Sequence, residues 1–518
     1  MLRFEGDKMI KWQHRRESRL RSQRTAAALG LSALMLAGLA PITEAAADPT
    51  LTTLYRFQGP IHADGQFPVS SSGLIRDATG VLYGTTESGG IGNQCTVAAR
   101  RALSVCGITK PDAKPDQGIG GLGTVFRVAP PVMGSMAWRE QVIYSFHGGA
   151  DGEEPIAGLV RGEGGVLFGT TPFGGSADGT VFMLTPPLVP NGTWSENILH
   201  RFTGGPDGAF SYGGLLLDGM TGALYGTTAG GGENGNCDGC GTVYQLTPSG
   251  DGWIESIIYS LKGFDGFFPL AGLLRDRVGA LWTTAESDGN YDQGSIFRLT
   301  PGQAAPPPPA RGTVPDFASV TWNETTIYSF PGYLWSATPG YGAPVQVDTG
   351  EVIGTTVEGG DYRFCQNGCG TVYKMIPPAA PGSQWVYRVI HRFHGGTDGA
   401  LPWAGLIKGP GGVLYGTTMG GGNGGFCGSQ KRGVVAGKSP PVGPGPGCGT
   451  VYKLTPPPKG KTYWPETVLY RFKGRGDGSQ PLGALLRGPQ GELFGTTSMG
   501  GLGCPQVQGC GTVFMLQP

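Results

Sequence analysis

Ten cysteines in five close pairs are the residues whose spacing most directly suggests chemistry. A Cys-x-x-Cys pair such as Cys237 and Cys240 can form a redox centre or half of a zinc site. A thioredoxin-like redox motif belongs with a βαβ unit, and a zinc site needs two loops to converge, but the sequence indicates neither arrangement. An even number of cysteines paired within single loops favours disulfides in an exported protein. We therefore predict the disulfides Cys95–Cys106, Cys237–Cys240, Cys365–Cys369, Cys427–Cys448 and Cys504–Cys510.

A recurring Asp-Gly pair, usually followed three residues later by proline, offers carboxylates at regular spacing. The aspartates are Asp64, Asp151, Asp265, Asp398 and Asp477, with Asp207 in a variant that lacks the proline. Asp and Gly shape tight turns and Pro stiffens the start of a strand, so the simplest interpretation is structural. The alternative is a ring of carboxylates around a central funnel that binds Ca²⁺, a cationic ligand or a sugar. Because the residues are so alike, no more than two or three of them would serve one site.

Histidine and tryptophan supply the other candidates. His147 and His394 each follow a strand-ending Phe, and we expect them to face the same funnel. Trp335 and Trp403 lie outside the regular Trp register, which makes them candidates for stacking against carbohydrate. The regularly spaced tryptophans favour packing between repeats, and they are Trp138, Trp194, Trp253, Trp322, Trp385 and Trp464. His200 and His391 occupy a position held by Tyr in other repeats, which favours a packed structural role.

Three sequence signatures recur in a fixed order and must position these side chains. The first is an apolar pair, a turn and Leu-Tyr-Gly-Thr-Thr, as in GLIRDATGVLYGTT, and the second is Gly-Thr-Val-Tyr/Phe. The third runs from a Trp to an aromatic residue or His and then usually Phe, as in WREQVIYSF. All are short segments rich in Val, Ile, Thr and aromatic residues between Gly, Pro and Asp, which is typical of strands. In the third, period two places Glu140, Val142 and Tyr144 on one face and Ile143 on the other.

One repeat is therefore a four-stranded meander, and repeated meanders of this kind predict an all-β fold, the β-propeller. The first two signatures occur seven times but complete copies of the third occur six times. An orphan outer strand, Leu51–Phe57, opens the chain after its first 50 residues, and the last repeat stops at Gly511–Gln517. We predict seven antiparallel four-stranded blades, with 51–57 paired to 511–517 so that the ring closes without an exposed edge. The proline-rich segment 301–320 is predicted to be an insertion between two strands.

The LYGTT…GG…GTVF.LTP unit resembles the Gloeobacter/Verrucomicrobia (GloVer) tandem repeats of bacterial proteins. More distantly, glycines after the second strand, an aromatic residue in the third and Trp at the fourth are similar to kelch propellers. The resemblance implies a propeller fold and export, and it brings no characterised activity. Family members often have a C-terminal surface anchor, and this sequence departs from them by ending at Pro518 without one.

Composition and the first residues bear on location and partners. The formal net charge of zero excludes the basic excess typical of nucleic-acid binders. A basic segment, an apolar stretch too short for a comfortable membrane span and a small-residue cleavage site predict a signal peptide over residues 1–47. We expect residues 48–518 to be one propeller domain, exported to the periplasm or beyond, monomeric and without a membrane span.

Two functions fit this sequence. The first is a non-enzymatic propeller that binds a glycan, a surface polymer or a protein partner through its loop-rich face, with no cofactor unless Ca²⁺ binds. The second is an extracellular enzyme that acts on polysaccharide with funnel Asp and His residues. An enzyme should break the repeat symmetry with unmatched polar residues at one place, and the motifs above are mainly repeated ones. We therefore favour the binding protein, although fold alone does not decide function.

Overall fold

The computed structural model describes the chain from residue 48 onwards, with gaps. The described ranges are 48–59, 64–90, 121–175, 178–189, 192–233, 239–250, 252–287, 293–302, 321–331, 339–362, 365, 367–380, 382–422, 427, 447–501 and 509–518. The predicted signal peptide, most of the proline-rich insertion and Trp335 lie outside these ranges. The blades lie within one compact unit, Pro49–Pro518. Among the described residues there is no helix long and apolar enough to cross a membrane.

Seven four-stranded antiparallel sheets form the blades of a β-propeller, which confirms the predicted fold. We number the blades in chain order and name the strands A (innermost) to D (outermost). The A strands are Ile75–Arg76, Val160–Arg161, Leu216–Leu217, Leu274–Arg275, Val345–Gln346, Ile407–Lys408 and Leu486–Arg487. The B strands are Leu82–Thr86, Leu167–Thr171, Leu224–Thr228, Leu281–Ala285, Val352–Thr356, Leu414–Thr418 and Leu493–Thr497. The C strands are Thr124–Ala129, Thr180–Thr185, Thr242–Ser249, Ser295–Pro301, Thr371–Ile376, Thr450–Leu454 and Thr512–Gln517. The D strands of blades 1 to 6 are Arg139–Ser145, Ser195–Arg201, Gly252–Ser260, Trp322–Ser329, Val386–Arg392 and Glu466–Arg471. Short 3-10 turns at Glu163–Gly165 and Pro410–Gly412 and a small strand pair, Gly65–Gln66 with Ser88–Gly89, complete the described elements.

The D strand of blade 7 comes from the other end of the sequence. Thr50–Arg56 pairs antiparallel with Thr512–Gln517, and the sheet order is completed by the A and B strands of the last repeat. The predicted pairing of the first and last strands is therefore confirmed. This pairing leaves no free strand edge at the seam, because the C strand of blade 7 is covered like every other C strand.

The Thr-Thr and Gly-Thr-Val motifs meet across the B and C strands. In blade 1 the Thr86 and Thr124 hydroxyls lie 2.8 Å apart, and both side chains are fully buried. Five other blades repeat this bond between Thr171/Thr180, Thr228/Thr242, Thr356/Thr371, Thr418/Thr450 and Thr497/Thr512. The motif thus satisfies two buried hydroxyls with each other, which avoids the cost of an unpaired buried polar group.

The glycine of Leu-Tyr-Gly-Thr-Thr makes room for the aromatic ring of the facing C strand. A Cβ atom at Gly226 would lie 2.3 Å from the Tyr244 hydroxyl, and one at Gly84 would lie 2.7 Å from the Phe126 ring. Both rings are completely buried. The two most recurrent motifs of the sequence are therefore explained by contacts inside a single blade.

Every D strand contains a β-bulge that the sequence pattern did not indicate. In blade 1, Phe126 pairs with Val142 and the adjacent Val125 pairs with Tyr144, so Ile143 is the extra residue. Because neighbouring residues of the C strand face opposite sides, Val142 and Tyr144 do so too, and their predicted common face is wrong. The bulge turns Tyr144 towards the linker that leaves the blade.

The regularly spaced tryptophans pack against the preceding blade, as predicted. Trp194 of blade 2 meets Tyr83 of blade 1 edge-on with ring centroids 6.2 Å apart. The same contact joins Trp253 to Phe168 at 5.7 Å. Across the seam, Trp138 of blade 1 meets Phe494 of blade 7 at 6.3 Å.

Small residues crowd together where the linkers reach the axis. A Cβ atom at Gly214, before blade 3, would lie 1.9 Å from the hydroxyl of Ser72, before blade 1. Likewise, a Cβ atom at Gly342 would lie 1.8 Å from the backbone nitrogen of Gly405. Linkers into different blades thus approach each other at backbone distance, which explains the Gly and Ala residues that precede the A strands.

Candidate binding site at the axis of the propeller

Each Asp-Gly aspartate hydrogen-bonds with the outer strand of the blade that precedes its linker or with the turn after that strand. Asp151 accepts hydrogen bonds from the Tyr144 hydroxyl at 2.7 Å and from the His147 backbone N–H at 2.7 Å. Asp265 accepts corresponding bonds from the Tyr259 hydroxyl and, at 2.8 Å, from the Lys262 N–H. Asp64, Asp398 and Asp477 likewise accept a backbone N–H from the residue after the strand-ending Phe. These carboxylates therefore point to the outer strands and close the turns that follow them.

A glutamate from the next blade faces five of the six aspartate turns, those of Asp64, Asp151, Asp207, Asp265 and Asp398. Burial is the main cause that raises the pKa of each glutamate, and the aspartate of the preceding linker adds electrostatic repulsion. The pKa rises to about 8 for Glu140 and Glu466 and to about 7 for Glu196 and Glu255, and the pKa of Glu324 is also raised. Each interface between these blades therefore contains a Tyr or His, an Asp and a Glu.

The candidate histidines and tryptophans have different surroundings. His147 and His394 are 59% and 46% exposed in their side chains, and their Nδ1 atoms lie 3.1 and 2.9 Å from Asp151 and Asp398. Trp403 is only 8% exposed and stacks on Tyr341 with ring centroids 4.3 Å apart. Its indole belongs to the core, and Tyr341 is the more accessible ring of the pair.

The residue that follows Gly-Thr-Thr breaks the sevenfold pattern at the axis. At this position blades 2, 3, 5 and 6 have apolar residues and blade 7 has Ser, whereas blades 1 and 4 have Glu87 and Glu286. The backbone N–H groups of both glutamates bond to a linker residue in left-handed conformation, Phe67 for Glu87 and Phe268 for Glu286. Glu154 occupies that left-handed linker position before blade 2, with φ of 56°.

Two tyrosines join these carboxylates into one cluster. Tyr212 lies two residues after Phe210, the left-handed residue of its linker, and Tyr341 holds the equivalent position before blade 5. At this position the other linkers have apolar residues, namely Val69, Ile156, Leu270, Trp403 and Leu482. Tyr212 interacts electrostatically with Glu87 and Glu154. Tyr341 hydrogen-bonds with Glu286 and interacts electrostatically with Glu358 and Tyr212. We call Glu87, Glu154, Glu286, Glu358, Tyr212 and Tyr341 the axial acidic cluster.

Burial perturbs the pKa values of Glu87, Glu154, Tyr212 and Tyr341 within the axial acidic cluster. Burial raises the pKa of Glu87 to about 8, with a contribution from Glu154. Burial also raises the pKa of Glu154 to about 7, with a contribution from Glu153. Burial and the neighbouring carboxylates raise the pKa values of Tyr212 and Tyr341 above the usual range. The side chains of the axial acidic cluster remain partly accessible to solvent, whereas the neighbouring ring of Trp403 is buried.

The other side of the axis is apolar. Val69, Leu401, Trp403 and Leu482 are buried in one cluster with the partly buried Phe67 and Tyr341. These residues come from linkers into four different blades, so they meet where the linkers converge. The site thus joins carboxyl and phenol groups on one side to aliphatic and aromatic surface on the other. Such a site can hydrogen-bond hydroxyl groups, attract cations and contact the apolar face of a sugar.

Sequence reasoning missed the axial acidic cluster because it concentrated on residues that repeat. The informative signal was a position at which one or two repeats differ from all the others. Aligning the residue after Gly-Thr-Thr across the repeats singles out Glu87 and Glu286. Aligning the linkers in the same way singles out Glu154, Tyr212 and Tyr341.

Disulfides close loops on the same face as this cluster. Cys365–Cys369 and Cys427–Cys448 are bonded, and Cys240 and Cys510 are also disulfide-bonded. Cys95–Cys106, Cys237 and Cys504 lie outside the described residues. The backbone carbonyls of Cys369 and Cys448 accept hydrogen bonds from the left-handed linker residues Leu401 and Gln480. The bonded cysteines thus hold the start of the C strand against the linker that runs to the axis.

The repeat motifs also identify the family to which part of this chain is related. Residues 113–306 match the model of the Gloeobacter/Verrucomicrobia repeat. This confirms the resemblance that the sequence indicated, whereas the kelch comparison extends only to the propeller fold. No curated protein matches the sequence.

Solved structures with similar folds include three enzymes of low sequence identity. An oxidoreductase described as a glucose dehydrogenase from Thermus thermophilus has 14% identity and a TM-score of 0.38, covering 69% of this chain and 95% of its own. A Hadza microbial sialidase has 14% identity and a TM-score of 0.38, covering 76% of each chain. An ancestral GH74 enzyme has 11% identity and a TM-score of 0.39, covering 67% of this chain and 40% of its own. These similarities carry no argument about function.

Proposed function

We propose that the protein is an exported, non-enzymatic propeller that binds a glycan at the axial acidic cluster. The observation that supports this proposal is the meeting of carboxyl and phenol groups with an apolar, aromatic surface. The break in repeat symmetry locates the site, and it is also the pattern expected of the enzyme considered below. Polar residues unmatched in other blades meet an apolar surface at one place, on the face where disulfides hold the loops. Export is supported by the disulfides, which persist in oxidising compartments.

The chemistry of the cluster suits a hydroxyl-rich ligand. A carboxylic acid that keeps its proton near neutral pH both donates and accepts hydrogen bonds, so Glu87 and Glu154 can each satisfy a sugar hydroxyl and its neighbour. Tyr212 and Tyr341 add donors and ring surface. Because these carboxyl and phenol groups are partly enclosed, water competes less for their hydrogen bonds than it does at exposed residues.

A glycan array probed with the purified protein tests the proposal. We expect binding to a restricted set of glycans, and isothermal titration with one of them should show at least tenfold weaker binding for Glu87→Gln and for Tyr341→Phe. Glu163→Gln changes an exposed glutamate in a 3-10 turn and should bind like the wild type. If no glycan binds, or if binding survives both axial substitutions, the axial cluster is not the glycan site.

The raised pKa values of Glu87 and Glu154 favour one alternative, an enzyme that hydrolyses polysaccharide. A protonated carboxylic acid near neutral pH can act as a general acid, and perturbed carboxylates cluster at catalytic sites. Incubation with each bound polysaccharide, followed by assay of reducing ends, distinguishes the two functions. The binding proposal predicts no release. Release that Glu87→Gln or Glu154→Gln abolishes would establish the enzyme instead.

A further inference from the structure

The interface between blades 5 and 6 contains three metal-type ligands in one buried place. His391 lies on the D strand of blade 5, Asp398 in the linker that follows it, and Glu466 on the D strand of blade 6. One ligand atom from each lies within 4.8 Å of the other two. In the part of the chain that the structure describes, this is the one group of three His, Cys, Asp or Glu ligands that meets this distance.

Each member of this cluster has a buried atom without a hydrogen-bond partner. These atoms are Nε2 of His391, Oδ1 of Asp398 and Oε1 of Glu466. His391 is only 2% exposed, and its Nε2 lies 3.7 Å from Oε2 of Glu466. The Oε1 atoms of Glu140, Glu196 and Glu255 are unpartnered in the same way in other blades, so that of Glu466 is not distinctive. Buried polar atoms are nearly always paired in native proteins, so Nε2 of His391 and Oδ1 of Asp398, unpartnered beside Glu466, indicate a missing partner. Because imidazole nitrogen and carboxylate oxygen can all act as acceptors, a cation satisfies them together.

The surrounding groups hold the ligands in place. The other ring nitrogen of His391, Nδ1, lies 3.2 Å from the hydroxyl of Tyr463, which leaves Nε2 directed at the carboxylates. The second oxygen of Asp398 accepts the backbone N–H of His394 at 3.0 Å and faces the His394 ring at 2.9 Å. Contacts of this kind orient the ligands of metal sites and are costly to remove.

Other charged and polar groups near the cluster are compatible with a cation. Arg471 interacts with Glu466 but donates its Nε hydrogen bond to the carbonyl of Thr397 at 2.9 Å. The hydroxyl of Tyr452 is buried and unpartnered, and it lies within electrostatic reach of Glu466. A water on the ion would give this hydroxyl a place to bond.

The equivalent positions of other blades show what is special about this one. Blade 2 also has a histidine, His200, but its Nε2 lies 3.3 Å from Oδ2 of Asp207. Blade 1 has Tyr144, whose hydroxyl donates to Asp151 at 2.7 Å. In blade 1 the tyrosine is bonded to its aspartate, whereas in blade 2 the Nε2 atom of His200 has no hydrogen-bond partner either. Blade 5 differs from blade 2 in that one ligand atom from each of His391, Asp398 and Glu466 lies within 4.8 Å of the other two. In blade 5 the Oδ1 atom of Asp398 remains unpartnered.

We propose that His391, Asp398 and Glu466 bind a divalent transition-metal ion, for which Zn²⁺ is the probe. One imidazole and two carboxylates suit zinc, with a water as the fourth ligand. In a tetrahedral site with bonds of about 2.0–2.1 Å the ligand atoms are roughly 3.3 Å apart, so the carboxylates would close in by about 1 Å on binding. The ion would join blade 5 to blade 6 at the outer strands, away from the axial acidic cluster.

Zinc stoichiometry in matched variants tests this site. The full chain and its variants are stripped with a chelator, equilibrated with ZnSO₄, freed of excess zinc and assayed by mass spectrometry. His391→Tyr is the key variant, because Tyr is the residue that other blades have at this position and should preserve the fold. His200→Tyr makes the same exchange in blade 2 and is the control. Glu466→Gln is a second variant that keeps the shape of the side chain.

We expect the wild type and His200→Tyr to retain one more zinc ion per chain than His391→Tyr and Glu466→Gln. Zinc should also raise the Tm of the wild type by about 2–5 °C, since an ion that binds only the folded state stabilises it, and should leave the Tm of His391→Tyr unchanged. Far-UV circular dichroism verifies folding. Equal zinc content in the wild type and both site variants would overturn the proposal, as would a wild type that retains no zinc. If His391→Tyr fails to fold, Glu466→Gln decides the result alone.

Discussion

The hydroxyl of Tyr55 donates a 2.8 Å hydrogen bond to Oδ2 of Asp64, which joins the first strand of the propeller to the linker behind it. Asp64 also accepts the backbone N–H of Gln58 at 2.9 Å and is only 4% exposed. The same relation links Tyr144 to Asp151, Tyr259 to Asp265 and Tyr470 to Asp477. The repeated aspartate therefore fastens the turn after each outer strand.

Asp64→Ala should lower the free energy of unfolding by about 1–3 kcal/mol, because it leaves the partly buried Tyr55 hydroxyl and a backbone N–H without this acceptor. Asp64→Asn keeps an acceptor oxygen and should lose less. Urea denaturation of the two variants measures the difference, and Asp348→Ala, at a side chain that is 96% exposed, is the control. Glycan binding by the folded fraction should be unchanged. Full stability with lost binding would instead support a functional ring of aspartates.

The glutamates between blades should make the protein less stable as the pH rises. Burial raises the pKa of Glu140 from 4.5 to about 8 in the folded state. Between these values the folded chain retains a proton that the unfolded chain has lost, so the free energy of unfolding falls as the pH rises towards 8. The contribution of protonated Glu140 to stability is therefore complete below pH 4.5 and lost above pH 8.

Glu140→Gln tests this sign in one residue. Because glutamine cannot ionise, the variant should gain up to about 4–5 kcal/mol over the wild type at pH 8.5 and show little difference at pH 4.5. Urea denaturation across this range, with the exposed Glu163→Gln as control, gives the comparison. A variant that is less stable than the wild type at high pH would mean that ionised Glu140 has a favourable partner.

The two disulfides whose cysteines both lie within the described residues should stabilise the protein unequally. Cys427–Cys448 spans 21 residues, whereas Cys365–Cys369 spans 4. Loop-closure entropy gives about 3 kcal/mol for the longer loop and about 2 kcal/mol for the shorter one. Denaturant unfolding of Cys427→Ser/Cys448→Ser and of Cys365→Ser/Cys369→Ser should show this order. A larger loss from the short pair would indicate that the packing of Cys365 and Cys369, both buried, outweighs the entropy of the loop.

Sequence periodicity predicted the architecture because the repeats report it many times over. Six Gly-Thr-Thr and Gly-Thr-Val pairs, one variant pair in blade 4 and the orphan strand were enough to predict the blades and the closure of the ring. The bulge at Ile143 was not predictable from alternation, since Val142, Ile143 and Tyr144 are all apolar or aromatic. The predicted face of Tyr144 was therefore wrong, and its hydrogen bond to Asp151 was not predicted.

The candidate site was harder to predict because its residues are far apart in sequence. Glu87, Glu154, Tyr212, Glu286 and Tyr341 come from different blades and meet only when the linkers converge. Each stands at a position whose residue type varies among the repeats, such as the second variable position of Asp-Gly-x-x-Pro for Glu154. His391 could be recognised as unusual beside the tyrosines of other blades, but its carboxylate neighbour Glu466 lies 75 residues away and in the next blade.

The seam of the ring should be as stable as an interior blade, and a matched pair of substitutions measures this. Phe57 ends the first strand of the chain, is completely buried and lies 5.0 Å from the Phe126 ring of blade 1. Phe472 holds the same position in blade 6 and lies 5.2 Å from the Phe514 ring of blade 7. Each change to alanine should cost about 3–5 kcal/mol, because it removes a buried ring and leaves a cavity.

Equal losses in Phe57→Ala and Phe472→Ala, measured by urea denaturation, would show that the seam unfolds with the rest of the propeller. Val386→Ala, at a residue that is 47% exposed on an outer strand, should change stability by less than about 0.5 kcal/mol and is the control. If the first strand opened before the other blades, Phe57→Ala would lose far less than Phe472→Ala, because its ring would already be exposed when global unfolding begins. Hydrogen exchange at the amides of Leu51–Tyr55 would then be fast, whereas a closed seam predicts protection similar to that of Thr467–Tyr470.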